Sequence, residues 1–190
     1  MDITALLLIL IADFAFTLLH SWQELRGDGA PLWRNFGAIV GVEIPDQLGF
    51  FGFTVGLTVI LFALGFVGII GPWSPACTAF ALGALIGARL SDTVVSHVGL
   101  YLLGYRPNPG LSSTPLYVLE AGFLAYVFHA RLLADPFAAK VGLACGAIFF
   151  LLVLPALWLV RCVVPTWRRP CWKRGERMPS WAVRNNAAGI

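Results

Sequence analysis

The chain has 190 residues, 58% of them hydrophobic and only 12% charged, with a mean hydropathy of +0.80. A soluble domain of this size carries about twice that charged fraction, which excludes a soluble globular enzyme. The net charge is only +3, yet seven of the 13 Lys and Arg lie from Arg161 onward; such a tail marks a cytoplasmic end against anionic head groups, not a nucleic-acid-binding surface.

Apolar runs near the roughly 20 residues that cross a bilayer predict an all-α, polytopic membrane protein with a five-transmembrane-helix bundle. The first helix is expected at about 3–25. It lacks a basic start and a small-residue exit site, so it reads as a retained span and not a cleaved signal. The connection that follows holds an amphipathic stretch, about 31–47, suited to the interface. The second helix is expected at about 50–70 and the third at about 76–103, separated by the "GPWSPA" turn with Pro72 and Pro75. After "GYRPNPGLSS" come a fourth helix at about 114–133 and a fifth at about 138–164. Pro155 should kink the fifth. Residues 166–190 form the basic cytoplasmic tail.

Five spans with a cytoplasmic tail put the N-terminus outside. Ten basic residues then fall inside, and only Arg131 and Lys140 outside. Trp22, Trp33, Trp73 and Trp167 fall near the interfaces. Cys77, Cys145, Cys162 and Cys171 form no CxxC and read as packing thiols.

Ionisable groups inside a span are costly, so they face the bundle interior and pair. Asp13, Thr17, His20 and Glu24 recur at spacings of four, three and four, one face of a helix. Helix three carries Arg89, Asp92, Thr93, Ser96 and His97, and helix four carries Tyr117 and Glu120. At 1.5 Å per residue, His20, His97 and Glu120 lie roughly 8–9 Å from the cytoplasmic end, and Asp13, Arg89 and Asp92 roughly 16–21 Å. Two layers are therefore expected. The deeper, Asp13, Arg89 and Asp92, reads as a structural ion pair. The shallower, His20, Glu24, His97, Tyr117 and Glu120, holds the candidate catalytic residues for acid–base chemistry. No metal site is predicted; the runner-up ligand set is His20, Glu24, His97 and Glu120.

"HSWQE" near the end of the first span resembles the signature of the HXXEE-domain integral membrane proteins, a family of unassigned function. "SHVGLYLLGYRPNPGLSSTPLY" is similar to that family's second landmark, with His97 and Asn108-Pro109-Gly110 at the matching positions. Gln23 replaces the signature's first Glu, and Thr93 stands where the family has Asn. A weaker likeness, in constellation only, is to the emopamil-binding sterol isomerases, which add and remove a proton at a sterol double bond. These likenesses imply a polar site serving an apolar molecule.

The expected function is acid–base chemistry on, or binding of, a lipid-like small molecule. Glu24 and Glu120 would exchange the proton, His20 and His97 would orient them, and Tyr117 would donate a hydrogen bond. The alternative is a non-catalytic accessory subunit among other membrane subunits. The small-residue stretch "ALGALIGARL" favours close helix packing, within the chain or to such a partner. No cofactor is indicated, and membrane lipids are the expected surroundings.

Overall fold

The structure, a computed structural model, describes residues 2–25, 36–37, 39–41, 55–104, 108 and 110–163. The described chain is all-helical, with no strand. Most of the expected interfacial segment and all of the basic tail lie outside the described residues.

Helix α1 is Ile3–Leu25, and Asp2 starts it by accepting from the Ala5 amide at 2.7 Å. Helix α2 is Gly56–Ile69. Helix α3, Pro75–Leu102, follows the Gly-Pro-Trp-Ser turn. Ser74 is its N-cap, accepting from the Cys77 amide at 3.2 Å, and Pro75 occupies the first turn. A 3-10 turn, Leu111–Ser113, leads into α4, Thr114–Val127.

The expected fourth helix is two pieces. It breaks at Phe128, and a short α5 follows, His129–Ala134. Arg131 on α5 donates to the carbonyls of Gly68 and Ile69, both at 2.8 Å, satisfying the open end of α2. The expected fifth helix is also two: α6, Pro136–Leu151, and α7, Val153–Val163. Proline has no amide to donate, so Pro155 offers nothing to the carbonyl of Leu151, where α6 ends.

Helix α3 is the axle of the fold. Its most apolar window is 78% buried, against 28% for α1. It packs on α2, α4 and α5, and most extensively on α6. Small residues allow that last contact. Cβ atoms at Gly83 and Gly87 would run into the carbonyls of Ala139 and Leu143, and Cβ atoms at Gly142 and Gly146 into those of Phe80 and Ala84. Two interlocked Gly-xxx-Gly pairs thus bring the backbones into contact, and Ser91 adds a hydrogen bond to the Ala147 carbonyl at 2.7 Å. The stripe in "ALGALIGARL" is used inside the chain.

Among the described residues, two helices, Ile3–Gln23 and Pro75–Leu102, are long and apolar enough to cross a membrane. The outward faces are apolar as well: Leu8, Ile11, Leu119 and Phe123 are all exposed. So are Cys77, Cys145 and Cys162, which therefore point away from the core they were expected to pack.

Candidate functional site

The chemistry-bearing groups meet where the C-terminal ends of α1 and α3 face the start of α4. Their placement depends on a local departure from the α-helix. Residues Asp92–Gly99 of α3 are wound as a π-helix. At about 100° per residue, an α-helix would turn Asp92 and His97 about 140° apart. The i→i+5 bonding of a π-helix brings residues five apart onto one side. Asp92 and His97 consequently face the same ring, His20 of α1.

His20, Asp92 and His97 are all buried. Nε2 of His20 lies 3.0 Å from Nε2 of His97 and 3.3 Å from Oδ2 of Asp92. The third side of the triangle, His97 Nε2 to Asp92 Oδ2, is 3.7 Å. The other ring nitrogens are held by loop residues. Asn108 donates Nδ2 to the carbonyls of Ser96 and His97, at 3.0 and 2.9 Å, which fixes its amide orientation. Its Oδ1 then accepts from His97 Nδ1 at 2.8 Å. Ser113 donates its hydroxyl proton to the Gly110 carbonyl at 2.9 Å, so its oxygen accepts from His20 Nδ1 at 2.7 Å. Both imidazoles thus carry a proton on Nδ1 and turn Nε2 toward Asp92.

Gly110 closes this group from the turn. A Cβ there would overlap Cε1 of His97 and lie 2.7 Å from Cε1 of His20. Its φ is −75°, which alanine adopts freely, so space alone demands glycine. Gly110→Ala is expected to cost about 1–3 kcal/mol as an overpacking change. It would be measured as a lower unfolding midpoint in mild detergent; an unchanged midpoint would show that the rings are not packed on this turn.

Beside the imidazoles lies a second buried group centred on Arg89, only 1% exposed. Its Nη2 donates to Asp13 Oδ1 at 3.0 Å and to Thr17 Oγ1 at 2.5 Å. Its Nε stands 3.2 Å from Glu120 Oε2, an ion pair without hydrogen-bond alignment. Asp13 Oδ2 and Glu120 Oε1 are buried with no hydrogen-bond partner. Two carboxylates therefore share one guanidinium. Tyr117 stands between the two groups, its ring edge-on to His20 at 4.4 Å and 4.8 Å beneath the guanidinium carbon of Arg89.

Asp13 and Glu120 also line a pocket between α1 and α4. Its volume is about 250 Å³, and Ile9, Ala12, Phe16, Leu119 and Phe123 form its walls. The lining is almost wholly apolar, and these two acids are its only charged members.

The structure brings His20, His97 and Tyr117 together, but it exchanges two carboxylates relative to expectation. Glu120, not Asp92, joins Asp13 at Arg89, and Asp92 faces the imidazoles. The alternative metal set accordingly has Asp92 where Glu120 was expected. Glu24 stands one turn beyond His20 on α1, and its side chain lies outside the described residues. Asn108, Gly110 and Ser113 were not singled out as site residues. The only sequence signal for them was the Asn-Pro-Gly turn itself.

No family model, no curated protein and no solved structure matches this chain.

Proposed function

We propose that the chain is a five-span membrane protein that takes a lipid-like molecule into the α1/α4 pocket and performs acid–base chemistry on it through Glu120. The observation that carries this reading is the pocket. Apolar side chains make most of its lining, Leu119 among them is exposed, and the buried acids Asp13 and Glu120 line it too. A proton held between the two acids satisfies their buried oxygens, and such a proton is one that Glu120 can pass to a ligand. Arg89 pairs with both acids.

In this reading α4 with α5, and α6 with α7, each make one span. The N-terminus is outside, the C-terminus is cytoplasmic, and the imidazole group lies toward the cytoplasmic leaflet. The likeness to HXXEE-domain proteins belongs to the same proposal, since its two landmarks carry His20, His97, Asn108 and Gly110. The accessory-subunit alternative draws less support, because the small-residue stripe that could have packed against a partner is occupied by α6.

Ala12→Phe places a ring in the pocket from an exposed position on α1 without touching the buried groups. Native mass spectrometry of the gently solubilised wild type should show a co-purifying apolar molecule, and Ala12→Phe should lose it. Glu120→Gln should retain the molecule and abolish its turnover. A wild type without any bound molecule, or equal occupancy in Ala12→Phe, refutes the reading.

A further inference from the structure

We propose that His20, Asp92 and His97 bind a divalent first-row transition-metal ion, zinc or iron(II), through His Nε2, Asp Oδ2 and His Nε2. The triangle of 3.0, 3.3 and 3.7 Å has a centre equidistant from its three corners, and that distance is about 2 Å, the usual length of metal–imidazole and metal–carboxylate bonds. A shared proton bridges two of the three atoms at most. A single ion serves all three.

The surroundings match an ion site in three further respects. Both rings have their tautomer set by hydrogen bonds on the far nitrogen, to Asn108 and Ser113, as metal-ligating histidines usually do. The three side chains are buried, and the three ligand atoms already stand within 3.7 Å of one another. Gly110 lies against Cε1 of both rings and fixes their tilt. Two imidazoles and one carboxylate suit zinc and iron(II), and three protein ligands leave coordination positions open for water or substrate. The proposal does not rest on the lipid pocket, whose lining includes none of the three ligands.

The test uses the full chain, purified in mild detergent without a histidine tag. Elemental analysis is followed by Co²⁺ titration, read as visible d–d absorption, with Zn²⁺ as competitor. The expected result is one ion per chain. Affinity should fall beyond measurement in Asp92→Asn and His97→Gln, and about 10–100-fold in Asn108→Ala, which removes the hydrogen bond that orients His97 together with two to the Ser96 and His97 carbonyls. No d–d absorption in folded wild type overturns the proposal. So does equal affinity in His97→Gln, which would place the ion elsewhere. Should none of the variants fold, pulsed electron paramagnetic resonance of the Co²⁺-loaded wild type decides: two coordinated imidazoles support the site, and none or one refutes it.

Discussion

Arg89→Met is expected to destabilise the protein by about 3–5 kcal/mol, the usual cost of removing one partner from a buried ion pair. The arginine is 1% exposed and pairs with both Asp13 and Glu120. Without it, two carboxylates stay buried beside Tyr117 with nothing to balance them. The loss should be recovered when the charges leave together. Arg89→Met combined with Asp13→Leu and Glu120→Met replaces the group by apolar side chains of similar volume, a change that is often neutral or stabilising. Unfolding midpoints in mild detergent would measure both variants. A single variant as stable as wild type, or a triple variant no better than the single, would contradict the account of Arg89 as a charge-balancing strut.

The second large effect is expected at the α3/α6 contact. Gly→Ala in a helix interior normally gains about 1 kcal/mol from propensity, while overpacking costs about 1–3 kcal/mol. At Gly87 and Gly146 the clash should win. The atoms met are carbonyls of Leu143 and Ala84, and backbone cannot swing aside as a side chain can. Gly87→Ala and Gly146→Ala should therefore lower the unfolding midpoint. Gly122→Ala on α4 is the internal control, because nothing lies within 4 Å of the new atom. It should leave the midpoint unchanged or raise it. Equal behaviour of the three variants would show that α3 and α6 are not in backbone contact.

The helical class and the polar face of α1 were legible because both obey one periodicity. Asp13, Thr17 and His20 recur at α-helical spacing, and they reach Arg89 and His97 as that spacing implies. Asp92 was assigned to Arg89 for the same reason. Three residues apart on an α-helix share a face, and five apart do not. The π winding reverses that preference, and no residue pattern in "DTVVSHVG" announces it. Glu120 was grouped with the imidazoles by depth alone, which does not distinguish neighbours at one level. Asn108 and Ser113 act from turns, where no period exists to reveal direction. The break at Phe128 has no proline or glycine to mark it, whereas the break before Val153 has Pro155 close by.

The long reach of the Arg89–Asp13 pair bears on how the protein is made. The two residues are 76 positions apart, and domains are synthesised N-terminus first. In the proposed topology α1 enters the bilayer carrying Asp13 and His20 before any helix that answers them exists. An unaccompanied carboxylate at that depth makes α1 a poor solitary span. Its residence in lipid becomes secure only once α3 is delivered. A truncated or stalled chain would keep that charge on display, a mark by which membrane quality control can tell an unfinished molecule from a finished one.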